Sequence, residues 1–143
     1  MSYKTTFLAF ILLIVASFSC KKSNQADKIP VVPVSVTIYL NLPSNIALNS
    51  IGNYVKTQGG YRGIVVYRRS LTEFVAFDLA CPFDPQSSGA ILDIDSNGIS
   101  TIDHHCGSRF DLTSGSVLNG PATSPMKAYS ADYDGGNTVY IYN

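Results

Sequence analysis

The chain has 143 residues, with Lys and Arg numbering 10 against 10 Asp and Glu, so its formal net charge is zero. No run of like charge exceeds the pairs Lys21-Lys22 and Arg68-Arg69, and the basic footprint of a nucleic-acid-binding protein is missing. Once an N-terminal export segment is set aside, about one domain's worth of chain remains, enough to bury a core without help from metals or several disulfides. Trp is absent, while Tyr, Phe, Val, Ile and Thr occur in short bursts, a composition that favours strands.

The amino terminus reads as an address. Lys4 precedes the apolar stretch from Phe7 to Ala16, which ends in Ser17-Phe18-Ser19-Cys20. That stretch is about half the ~20 residues a membrane-spanning helix needs. It resembles a bacterial lipoprotein signal peptide, which implies that residues 1–19 are removed and that Cys20 becomes the lipidated first residue. Plain secretion, with Cys20 left as a free thiol, is the alternative. Lys21 to Pro30 is polar and without periodicity, as expected of a flexible tether over residues 20–30. The expected location is the cell envelope, outside the cytoplasm, with the membrane as partner through lipid on Cys20.

Residues 31–143 read as one all-β domain. From Val34 the side chains alternate, with Val34, Val36, Ile38, Leu40 and Leu42 on one face, and Pro43-Ser44-Asn45 ends that strand. Asn53 to Lys56, Gly63 to Arg68 and Glu73 to Asp78 follow as short strands between Gly-rich and polar turns. Ala90 to Asp93 and Ile99 to Ile102 flank Asp95-Ser96-Asn97-Gly98, whose Asn-Gly pair signals a tight hairpin. Arg109 and Asp111 alternate with Phe110 and Leu112 on a further strand, and Gly115 closes the turn after it. Tyr129 to Tyr133 and Thr138 to Tyr142 form a last hairpin around Asp134-Gly135-Gly136-Asn137. No convincing helical periodicity occurs in this part, and short strands joined by frequent turns predict a small sandwich or barrel.

The chemistry-bearing residues lie in two stretches. The first is Ala80-Cys81-Pro82-Phe83-Asp84; the second is Asp103-His104-His105-Cys106-Gly107-Ser108-Arg109-Phe110-Asp111, followed by Gly115 and Leu118-Asn119-Gly120-Pro121-Ala122. Together they resemble the Rieske iron–sulfur domain, in which one loop carries Cys-x-His and a second carries Cys-x-x-His-Gly-Ser-x-Phe-Asp before a Gly-Pro-Ala segment. The resemblance runs in order over roughly residues 60–143 and implies a two-loop, cluster-site-like subdomain at about residues 79–122. It aligns Cys81 with the first family cysteine and Phe83 with the first histidine. Asp103 and Cys106 fall at the second cysteine and second histidine. One ligand survives in kind, and a phenyl ring cannot coordinate iron, so the usual centre with two cysteines on one iron and two histidines on the other is not expected.

Three fates stand open for the sulfurs. Cys81 and Cys106 could pair as a disulfide, as exported thiols often do, stabilising the fold by roughly 3–4 kcal/mol on a loop-entropy estimate. They could remain inert thiols. They could hold a metal, either as a non-conventional cluster on Cys81, Asp103 and Cys106 with Asp84, or as one zinc or copper ion with a histidine. His104 and His105 are adjacent in an extended segment and point to opposite sides, so at most one can face Cys106. Each is otherwise a solvent-facing loop residue. Phe83 is expected to fill the space that a cluster would vacate.

No phosphate-binding glycine loop and no Gly-x-Ser-x-Gly elbow occurs, and Ser108 and Ser114 have no evident base partner, so no enzyme is expected. The leading expectation is a lipid-anchored, Rieske-like module without a cofactor, binding or structural in role. An electron-transfer protein carrying a 2Fe-2S cluster on altered ligands is the alternative. The protein partner is not legible.

Overall fold

The computed structural model describes residues 28–143. The expected signal peptide, the lipidated Cys20 and nearly all of the tether lie outside them. Among the described residues no helix is long and apolar enough to cross a membrane.

Among the described residues, ten strands build two antiparallel sheets. They are β1 (Ser35–Tyr39), β2 (Tyr54–Thr57), β3 (Ile64–Arg68), β4 (Phe74–Asp78), β5 (Leu92–Ile94), β6 (Ser100–Asp103), β7 (Arg109–Asp111), β8 (Val117–Asn119), β9 (Ala128–Tyr133) and β10 (Thr138–Tyr142). The larger sheet has the order β1-β10-β9-β4-β3-β2, and the smaller, β5-β6-β7-β8, is inserted between β4 and β9.

Strand β3, Ile-Val-Val-Tyr-Arg, is buried along its whole length because both faces of the larger sheet are covered there. Ile64 and Val66 enter one core with Ile38, Leu48, Phe74, Val139 and Ile141. Val65 and Tyr67 point the other way into a second core, where they meet Phe77, Leu79, Cys81, Leu92, Phe110 and Leu112. The period-two alternation of one strand thus serves two cores, and the second joins the sheets and floors the two loops.

Two sequence expectations need correction. The alternation from Val34 holds through Leu40, but Leu42 is exposed because the chain leaves the sheet after Tyr39. Helix is not wholly absent: Pro43–Asn49 winds as a 3₁₀ segment that buries Leu48. Its carbonyl at Leu48 accepts from Arg68 Nη1 at 3.0 Å, and the same guanidinium lies 5.0 Å from the Phe74 ring centroid. A segment this short is stabilised by such tertiary contacts rather than by periodicity. The tight hairpin expected at Asp95-Ser96-Asn97-Gly98 does form, joining β5 to β6 with Asp95 N donating to Ser100 O at 2.8 Å. Within it Gly98 N donates to Asp95 O, only Gly98 takes positive φ, and Asn97 Oδ1 accepts from Ile99 N and Ser100 N. The left-handed position of this turn falls on Gly98, where glycine takes it without steric cost.

A buried carboxylate ties the larger sheet to the first loop. Asp78, fully buried at the end of β4, accepts from Tyr61 N at 2.6 Å, Arg62 N at 3.1 Å, Ala80 N at 2.8 Å and the Tyr129 hydroxyl at 2.6 Å. Gly60, at φ +63, lets the turn pass over this carboxylate, since a Cβ there would sit 2.5 Å from Asp78 Oδ2. Four donors offset the cost of burying the charge, and the direction of the chain leaving β4 is thereby set.

Candidate functional site

Just beyond Asp78 the chain enters the first loop. Leu79 N donates to Gly63 O and Cys81 N to Ala90 O, so Cys81 is held as an extension of the sheet, fully buried in the second core. The loop that follows is clamped from outside by Arg62, whose Nη2 donates to Ser87 O at 3.2 Å and Pro85 O at 3.4 Å.

The second loop begins where β6 ends at Asp103, which faces Leu92 across the sheet. Gly107 N donates to Asp103 O at 2.7 Å and Asp103 N to Ser108 O at 2.9 Å, closing a tight turn. Gly107 adopts φ +81, a conformation glycine takes without steric cost, and this returns Cys106 over Asp103. Asp103 Oδ1 accepts from His105 N at 2.7 Å and more weakly from Cys106 N at 3.4 Å. Behind Cys106, the buried Ser108 hydroxyl lies 3.0 Å from its sulfur and accepts from Ala122 N at 3.0 Å, which fastens the covering segment.

These loops bring three of the four aligned positions together. A thiol sulfur from each of Cys81 and Cys106 and a carboxylate oxygen of Asp103 all lie within 4.8 Å of one another. The two sulfurs are 3.7 Å apart, and both residues are free thiols, against about 2.05 Å between bonded disulfide sulfurs. Burial, and then the Asp103 carboxylate, push the Cys81 thiol far above its ordinary pKa. Asp103 is fully buried, and its Oδ2 has no partner in hydrogen-bond geometry.

Other candidates stand apart. Asp84 is half-buried and outside the three-residue group. His104 is exposed and faces Asp93 at 3.9 Å, while His105 packs against Gly89 and lies 3.5 Å from Ser87 Oγ. Phe83 does not fill a vacated space: it is 38% exposed and belongs to neither core. The second loop folds onto Cys81 through Cys106, whose sulfur lies 3.7 Å from that of Cys81, while Phe83 stays outside both cores. Sequence reasoning missed Asp78 and Arg62, which position the first loop through backbone partners that carry no signature in sequence.

The two-iron centre fits these residues poorly. It needs four terminal donors shared between two irons, two of them imidazoles. Here one aligned position offers a phenyl ring, another offers a carboxylate, and no imidazole belongs to the group.

No protein-family model matches the sequence, and no curated protein matches it. Solved structures do resemble the fold. The cyanobacterial plasma membrane Rieske protein PetC3 from Synechocystis PCC 6803 superposes with a TM-score of 0.52 at 18% identity, covering 64% of this chain and 87% of that one. A chain of the complex of reduced oxygenase and oxidized ferredoxin in carbazole 1,9a-dioxygenase gives 0.50 at 17% identity, covering 76% of this chain and 93% of that one. With two antiparallel sheets, the smaller inserted into the larger and carrying the two facing loops, the described part of this chain has a Rieske-like fold.

Proposed function

We propose that the protein is an exported, lipid-anchored component of the cell envelope that keeps the Rieske-like scaffold without the usual two-iron centre. It acts there as a non-enzymatic binding or structural module. The observation that carries this reading is the donor set: Phe83 stands half-exposed where a histidine ligand is expected, and the remaining three donors crowd within 4.8 Å. The signal-like stretch ending at Cys20 supports export and anchoring.

The test is to purify the full chain anaerobically and measure visible absorption, iron and acid-labile sulfide. A colourless protein without either supports the reading. Brown protein with iron and sulfide overturns it in favour of electron transfer on an altered ligand set, the second reading, which draws on the convergence of Cys81, Asp103 and Cys106. The anchor has its own test. Cys20→Ser should move the protein from the membrane fraction to the soluble fraction and remove the lipid mass from the mature chain.

A further inference from the structure

We infer that Cys81, Asp103 and Cys106 form a site for a single divalent, thiophilic metal ion, Zn²⁺ being the ion whose chemistry they match. The inference rests on the reading that no two-iron centre forms at these loops, and it holds whether or not Cys20 is lipidated.

Geometry is the first argument. Zinc binds thiolate sulfur at about 2.3 Å and carboxylate oxygen at about 2.0–2.2 Å in a tetrahedral arrangement, so two thiolates on one ion lie about 3.8 Å apart. The sulfurs of Cys81 and Cys106 are 3.7 Å apart, and the Asp103 oxygen lies within 4.8 Å of both.

An orphaned atom is the second. Asp103 is fully buried, yet only Oδ1 is satisfied, by the backbone of His105 and Cys106; Oδ2 has no donor. A buried carboxylate oxygen without a partner is costly, and a cation between the two sulfurs supplies what it lacks.

Donor chemistry is the third. Two thiolates select for zinc or copper(I) over magnesium and calcium, and a carboxylate in the same set disfavours copper(I). On binding, the two thiols lose their protons to solvent as the metal–sulfur bonds form, and the carboxylate donates an oxygen lone pair. Cys106 has its outer support in place. Ser108 N points at its sulfur from 3.4 Å, and the Ser108 hydroxyl, its oxygen engaged by Ala122 N, has its own proton free to donate to a thiolate. Three protein donors leave the fourth position for water or a donor from elsewhere.

The test uses the reduced full chain carrying Cys20→Ser, so that no third thiol competes, titrated with Zn²⁺ or with Co²⁺ as a spectroscopic substitute. The expected result is one equivalent bound, with a thiolate-to-cobalt charge-transfer band that Cys81→Ser or Cys106→Ser diminishes. Asp103→Asn keeps an oxygen to accept from His105 N. It should therefore fold, retain the band and weaken metal affinity at least 10- to 100-fold, the loss seen when merely outer-shell partners are removed. His105→Ala should bind like the parent. A reduced chain with two titratable thiols that takes up neither metal overturns the inference alone, and so does an Asp103→Asn variant that binds as tightly as its parent. Iron with acid-labile sulfide in the isolated protein overturns both this inference and the function proposed above.

Discussion

The Tyr129 hydroxyl on β9 donates to Asp78 Oδ2 at the end of β4 at 2.6 Å, inside the protein, joining the middle of the larger sheet to the turn that launches the first loop. Removing that donor with Tyr129→Phe leaves Asp78 one partner short and should cost roughly 1.5–3 kcal/mol, the range for a hydrogen bond to a charged group. The loss depends on pH. Burial, reinforced by Asp78, holds the Tyr129 hydroxyl above its ordinary pKa of 10.0, so its contribution is complete below that value and fades as pH rises through the elevated one. Urea unfolding of parent and variant should therefore show a stability gap that narrows between about pH 8 and pH 11. An equal gap at both would mean that the hydroxyl is not buried against the carboxylate.

Gly115 is the second sensitive position. Its N donates to Asp111 O at 2.7 Å, its carbonyl accepts from Met126 N at 2.8 Å, and at φ +74 a Cβ would lie 2.6 Å from Phe77 Cε1. Gly115→Ala should cost about 2–4 kcal/mol, combining left-handed backbone strain with overpacking. Gly98 offers the control. It has nearly the same φ, +72, with no atom within 4 Å of the added carbon, so Gly98→Ala should cost only about 1–2 kcal/mol of backbone strain. Thermal melts of the two variants, compared directly, isolate the contact with Phe77.

Arg62 should govern the mobility of the first loop more than global stability. Its guanidinium holds the Pro85 and Ser87 carbonyls, and its Nε is buried without a partner. In Arg62→Met the apolar stem is kept while both bonds are lost, at a cost of about 1–3 kcal/mol felt locally. Native-state hydrogen exchange should then speed up at Ser87 and Ala90, whose amides close turns within the loop, and stay unchanged in β10. Faster exchange throughout the sheet would show that Arg62 supports the fold itself.

If only ligands separate this domain from a cluster-bearing one, restoring them should restore the centre. The combined substitutions Phe83→His, Asp103→Cys and Cys106→His rebuild two cysteines and two histidines at the aligned positions. Anaerobic reconstitution of that variant should yield iron, acid-labile sulfide and visible colour, all absent from the parent treated alike. Phe83→His by itself should change stability by no more than about 0.5 kcal/mol, as expected for an exposed side chain away from any core. A triple variant that folds but takes up no iron would show that the two loops have closed beyond what a cluster can enter.

Much of the fold was legible in the order of residues. β9 and β10 announce themselves because half-buried strands alternate, and β3 and β4 because short β-branched and aromatic runs are bounded by turn residues. The loop pattern around Cys81 and around Cys106-Gly107-Ser108 was equally legible, because backbone turns of this kind depend on local residue types. β8 and the 3₁₀ segment were not, since both are short: β8 pairs only at Val117 and Asn119 with the neighbouring β7, and the 3₁₀ segment is held by the distant Arg68.

The sequence by itself determined which donors are present at the aligned positions: two sulfurs, one carboxylate and a phenyl ring that can hold no metal. Only the tertiary structure decided where they go. The turn from Asp103 to Ser108 folds Cys106 onto Cys81, strands Asp103 Oδ2 without a donor and leaves Phe83 at the rim rather than in a core. The reason is that coordination and hydrogen bonding depend on distance and angle at the scale of an ångström. Residues 25 apart in sequence acquire that relationship only when two sheets share a core and two loops are closed by their own backbone.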